Sequence, residues 1–254
     1  MIIGIIILGF IFGCQSPSNN QNIDNSFDSV IKRRGDYISR VDSGLVPNFN
    51  KYFDNNHVNG IDLQIIKIGK LKLSSGRLIA CDPFYAGETF TLPFDLNLPI
   101  GDYDVDLCIA DLKNWGKRVA FSRLLISLNK TTKWDLISLI KTNNGNDSFY
   151  GVDAGLGCFM DSITAVSLAN EINSFYKISP DGNYYEDKMA KDFDESDNWA
   201  NHFPKTDSDL NCIIFSSGLG DGIYSSYVGY DKNNNITCVV TDFQLFDETE
   251  SIVK

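Results

Sequence analysis

The chain has 254 residues and a formal charge of −11, a balance that excludes charge-driven binding to a nucleic-acid backbone or an anionic lipid surface. At 43% hydrophobic and 22% charged, it has the composition of a globular chain able to bury one good core. Seventeen Phe and eleven Tyr against three Met favour an aromatic, strand-rich interior over a helical bundle.

The chain begins with an apolar run, Ile2 to Gly13, which is shorter than the roughly 20 residues of a spanning helix. It has the length of a secretory signal core and ends in Ile11-Phe12-Gly13-Cys14, which resembles the bacterial lipobox. That resemblance implies a signal peptide over residues 1–13 and a mature protein that starts at Cys14. Acyl chains such as palmitate on Cys14 would anchor it. The run departs from the usual pattern in having no Lys or Arg before it. Residues 14–25 are polar and read as a flexible tether. Residues 26–254 read as one globular domain.

Phe27 to Tyr37 suits a short helix, and Leu45 to Phe53 reads as irregular. Ile61 to Leu73 alternates as strands do, with a break at Gly69. A strand within Gly76 to Pro83 is stopped by Asp82-Pro83, and Glu88 to Leu92 reads as another short one. Gly101 to Asp111 places Tyr103, Val105, Leu107 and Ile109 on one face, and Asn114-Trp115-Gly116 turns it back into Arg118 to Ser127. Lys133 to Leu139 adds a strand. Met160 to Tyr176 has Ile163, Val166, Ala169, Ile172 and Phe175 near helical spacing, capped by Asp161 or Ser162. Tyr184 to Phe203 reads as a loop with a helical turn near Glu186 to Lys191. Strands at Asn211 to Phe215, Ile223 to Tyr230 and Ile236 to Phe246 follow, the last two joined by a turn at Asp231 to Asn235. These elements define an α+β fold, mainly antiparallel β and sandwich-like, with one principal helix.

Five cysteines remain beyond Cys14: Cys81, Cys108, Cys158, Cys212 and Cys238. No CxxC or Cys/His cluster marks a zinc site. Cys108, Cys212 and Cys238 read as small core residues, and Cys158 as an inert buried thiol. One disulfide is compatible with an oxidising compartment, its partners undetermined.

Two glycine–acid stretches carry what chemistry there is. In Gly218-Leu219-Gly220-Asp221-Gly222, three glycines spend more backbone entropy than a plain connection needs. If the last hairpin turns near Asn233, Asp242 falls opposite Gly222 to Tyr224, within reach of Asp221. Such a pair suits either backbone capping at a bend or a hard cation such as calcium. The second stretch, Gly151 to Asp161, holds Asp153 and Asp161 around three more glycines. His57 reads as exposed. His202, beside Trp199 in NWANH, reads as a packed histidine, with acid–base work as the alternative. No GxSxG, P-loop or HExxH is present.

Together GVDAGLGCFMD (Gly151 to Asp161), NWANH (Asn198 to His202), FSSGLGDGIYSSYVGYD (Phe215 to Asp231) and VVTDF (Val239 to Phe243) resemble the domain-of-unknown-function 4241 family. GRLIACDPF and VAFSR extend the likeness, which covers about residues 60–247. The resemblance implies that these motifs belong to one domain, and it brings no activity with it. The expectation is a lipid-anchored protein of the bacterial cell envelope, periplasmic or surface-exposed, with no cofactor. It would bind a protein or ligand through an acidic glycine-rich face, as an immunity or inhibitor protein would. The alternative is a carboxylate- or metal-dependent hydrolase built on Asp153, Asp221 and Asp242.

Overall fold

A computed structural model describes residues 46–140, 148–196, 198–204 and 209–246. Cys14, the tether and the helix expected at Phe27 to Tyr37 lie outside the described residues. Two antiparallel sheets account for the strands. The larger runs in the order β1 (His57–Val58), β2 (Ile61–Leu73), β4 (Gly101–Asp111), β5 (Lys117–Leu125), β12 (Ile236–Asp242), β11 (Gly222–Tyr230) and β6 (Lys133–Leu136). Beside the start of β11 lies β7 (Phe149–Val152). The smaller sheet is β3 (Leu78–Cys81), β8 (Leu156–Asp161), β10 (Cys212–Ser216) and β9 (Trp199–His202). The mainly antiparallel, sandwich-like α+β architecture is therefore present.

Strand alternation decides which residues meet between the sheets. Val105, Leu107 and Ile109 of β4 and Val239 of β12 pack on Ala80, Phe159, Ile213 and Phe215 of the smaller sheet. Tyr103 packs at the margin of the same core. On the outer face of the larger sheet, Tyr52 of the short helix α1 (Asn50–Phe53) and Phe49, which precedes it, cover Phe121 and Val240 with Phe246. Arg123 reinforces that face, pairing with the nearly buried Asp106 at 2.6 Å while its guanidinium lies over the Phe53 ring. On the outer face of the smaller sheet lies α2 (Ser162–Ile178).

Several expectations shift. Ile61 to Leu73 is one continuous strand with a register shift between Lys67 and Gly69, because a bulge at Ile68 takes up one residue without ending the pairing. Glu88 to Leu92 forms no strand: the Thr91 hydroxyl and amide bond back to Tyr85 and Glu88 as a tight turn. Leu156 to Asp161, the second half of the glycine–acid stretch, is the fully buried strand β8, and the helix expected from Met160 begins only at Ser162. Gly157 belongs there because a Cβ would sit 3.0 Å from the Phe215 ring and 3.3 Å from the Tyr150 hydroxyl. Trp199 to His202 is a strand rather than a loop. The helix buries Ala165 and Leu168, leaving Ile163 and Val166 outward. Asp161 sets that rotation, since its carboxylate accepts the Ile163 N–H and both the N–H and the hydroxyl of Ser75.

Candidate functional site

The site rests on adjoining strand ends of the smaller sheet. Because β10 is antiparallel to β8 and β9, Ser216 lies opposite Leu156 and Phe215 opposite Trp199. The loops after β10 and before β8 therefore emerge side by side. Ser217 N–H donates to the Gly155 carbonyl at 3.0 Å, and Asp221 Oδ1 accepts the Gly155 N–H at 2.9 Å. The two glycine–acid stretches are thus one structure.

Each loop is also held from beneath. Tyr224 is fully buried, and its hydroxyl donates to the Gly220 carbonyl at 2.5 Å. The Ser217 hydroxyl donates to the same carbonyl at 3.0 Å. Gly218 has φ +55°, and a Cβ there would stand 2.9 Å from both Cβ and O of Phe243. Under the other loop lies Asp82, fully buried. Its Oδ2 accepts the N–H groups of Asp153 (3.0 Å) and Ala154 (2.8 Å), and its Oδ1 that of Phe84 (3.0 Å). Asp82 also caps the short 3₁₀ turn Pro83–Tyr85, where Pro83 suits the first helical position.

What this scaffold presents is acidic and apolar. Asp153 and Asp221 are exposed. The Tyr85 hydroxyl donates to Asp153 Oδ2 at 3.2 Å, and that hydrogen bond and its charge hold the phenol pKa up, so Tyr85 stays a neutral donor. Phe90, 61% exposed, lies edge-on to the Tyr85 ring. Phe149 and Ile223 are exposed on the strands that enter and leave the loops. Fixed carboxylates beside exposed rings can receive cationic side chains and their apolar stems.

The other expected site residues are elsewhere. Gly222 begins β11 opposite Val152, and Trp199 lies half-buried at the loop end of β9, with its N–H on Asp194. Asp161 is at the far end of β8, about 16 Å of strand rise from Leu156, and is the buried cap of α2. Asp242 pairs with Ser225, not with Gly222 to Tyr224, a register set by the hairpin's bulge at Gly229/Tyr230. It shares the strand face of Val240, on the outer side of the larger sheet, and its Oδ1 accepts the Gln244 N–H at 2.7 Å. The carboxylates of Asp153 and Asp221 thus share a surface that Asp161 and Asp242 do not join. Among the described residues no group of three or more His, Cys, Asp or Glu could hold a metal ion.

His202, at the opposite end of β9, makes a separate cluster. It is 3% exposed, its Nδ1 lies 2.8 Å from Asp192 and its Nε2 3.1 Å from the Tyr184 hydroxyl and 4.0 Å from Glu171. Burial, with the Glu171 charge, pushes the Tyr184 phenol pKa up. A five-residue π-helix, Tyr185–Met189, and the 3₁₀ turn Ala190–Asp192 bring Asp192 under the ring. An open cleft of about 400 Å³ lined by Glu171, Lys188, Lys191, Asp192, His202 and Phe203 borders it. In the sequence Asp192 and Tyr184 carried no signal. Asp82 did, as an acid directly before Pro.

Fold and site together define a two-sheet β protein with a rigid acidic loop pair at one end of the smaller sheet. A family model described as protein of unknown function (DUF4241) matches residues 71–241. The chain belongs to that family, over somewhat less of its length than the motifs suggest. No curated protein and no solved structure matches it.

Proposed function

We propose that this chain is a non-catalytic binding protein of the bacterial cell envelope, anchored through lipid on Cys14, and that it captures a basic partner on the Asp153/Asp221 face. One observation carries the reading: two acidic loops are bonded to each other and braced by the buried Asp82 and Tyr224, leaving both carboxylates exposed. Pre-organisation of this kind lowers the ordering cost of association. The −11 charge of the whole chain adds long-range attraction for a cationic surface. An immunity or inhibitor protein that covers a basic toxin surface is the specific form proposed. The test is capture from envelope extract on the immobilised chain at low salt. A basic polypeptide released at high salt is expected, and the reading fails if no basic partner is retained. Labelled palmitate incorporated by the wild type and lost in Cys14→Ala tests the anchor.

A second reading, a hydrolase, is favoured by the Asp192–His202 pair beside its cleft, an arrangement suited to general-base work. It does not use Asp153 or Asp221, which lie at the other end of the smaller sheet.

A further inference from the structure

Three of the buried cysteines share one face of the smaller sheet, in the layer beneath α2. Cys81 of β3 and Cys158 of β8 are direct Cα partners across an antiparallel pair. Their sulfurs are 3.7 Å apart, and the Cys158 thiol donates to the Cys81 carbonyl at 3.1 Å. Directly opposed residues have Cα atoms about 4.5 or 5.5 Å apart, inside the roughly 4.4–6.8 Å span that a disulfide bridges. Cys212 also touches Cys158, but diagonally: its own partner on β8 is Met160, while Ile214 faces Cys158. Diagonal neighbours stand about 7–8 Å apart, too far for the bond without backbone movement.

We propose that Cys81 and Cys158 are a disulfide site, closing a cross-strand link between β3 and β8 when the chain folds in an oxidising medium. The reaction is thiol–disulfide exchange with a small-molecule disulfide such as oxidised glutathione. The Cys158 thiolate attacks one glutathione sulfur and expels glutathione thiolate. The Cys81 thiolate then attacks the Cys158 sulfur of the mixed disulfide and expels the second. Two protons leave the protein thiols and end on two reduced glutathiones, the two-electron oxidation of the cysteines matching reduction of the glutathione disulfide. Once the fold is complete, both thiols have pKa values far above the ordinary range, Cys81 through its bond with Cys158 and Cys158 through burial. Exchange therefore belongs to the folding chain, before α2 closes over the site, and the finished link is shielded from reductants. The inference stands independently of the binding face.

The test refolds the full chain from denaturant in an oxidised/reduced glutathione buffer, blocks free thiols, and maps peptides without reduction. A peptide pair joining Cys81 to Cys158 is expected, two hydrogens lighter than the free thiols and absent after dithiothreitol. Cys238→Ala should keep the link and Cys81→Ala should lose it. The linked protein should unfold at a urea midpoint higher by on the order of 1 M than its reduced form, because the link closes a long loop. Full alkylation of Cys81 and Cys158 in the refolded protein would overturn the proposal. So would a Cys158–Cys212 link in their place.

Discussion

Asp221 accepts the backbone N–H of Gly155 at 2.9 Å across 66 residues of sequence. This bond makes one surface of two loops that belong to different strands. Asp221→Ala should therefore loosen both loops together. Hydrogen exchange at residues 153–155 and 217–222 is expected to speed up in parallel, while β4 and β5 keep their protection. Faster exchange in the 217–222 loop alone would mean the loops are independent.

Asp82 bears the other side of this structure. Asp82→Ala removes an acceptor of three backbone N–H groups at a fully buried position. The loss should be about 2–4 kcal/mol by urea denaturation. Asp82→Asn, which keeps one carbonyl acceptor, should lose less.

Gly218 is constrained twice, by its φ of +55° and by the 2.9 Å approach of Phe243. Gly218→Ala is expected to cost about 2–4 kcal/mol, since the added methyl meets backbone as well as side chain and the left-handed conformation itself disfavours a side chain. Tyr224→Phe, which removes only the hydroxyl on Gly220, should cost nearer 1 kcal/mol and raise exchange chiefly in the loop.

The sequence made much of the fold legible, and the reasons are local. Gly101 to Asp111 alternates cleanly because one face meets the smaller sheet and the other meets α1. Asp231 to Asn235 turns as expected because the Asp231 carboxylate accepts the N–H groups of Asn233 and Asn235. β8 was hidden because both its faces are buried, so it shows no alternation, and its Gly157 serves packing rather than a turn. Asp161 looked like a site residue, yet its carboxylate is spent on Ser75 and the helix start. An unbroken register sets Asp242 opposite Tyr224 and beside Asp221, and the bulge at Gly229/Tyr230 shifts it to Ser225.

The same Asp231 turn sets a dependence on pH. Hydrogen bonds from the backbone and side chain of Asn235 hold the Asp231 carboxyl below its usual value of 3.8. A lowered folded pKa contributes stability that is present above the unfolded value and is lost as pH falls through the folded one. Wild-type stability should thus decline below about pH 4, and Asp231→Asn should show a shallower decline over the same acid range. Identical acid profiles for the two proteins would show that this turn contributes nothing to acid sensitivity.

His202 separates the two functional readings. Under the binding reading, His202→Gln disturbs the Asp192 and Tyr184 contacts, lowers stability by about 1–3 kcal/mol and leaves partner capture intact. A panel of ester, peptide and glycoside substrates should show no turnover by the wild type. Turnover abolished by His202→Gln in a protein that still folds would favour the hydrolase.

The claim that the acidic loop pair is the binding face is tested most directly by charge reversal. The variant Asp153→Lys/Asp221→Lys is compared with the wild type for capture of the basic partner from envelope extract at matched salt. Because Asp221→Lys also removes the acceptor of the Gly155 N–H, Asp153→Asn/Asp221→Asn, which keeps a carbonyl acceptor there and removes only the charge, is run in parallel, with circular dichroism and the unfolding midpoint measured for both variants. The expected result is a loss of capture of at least about tenfold. Equal capture by the folded variant would contradict the proposal and move the binding face elsewhere on the molecule.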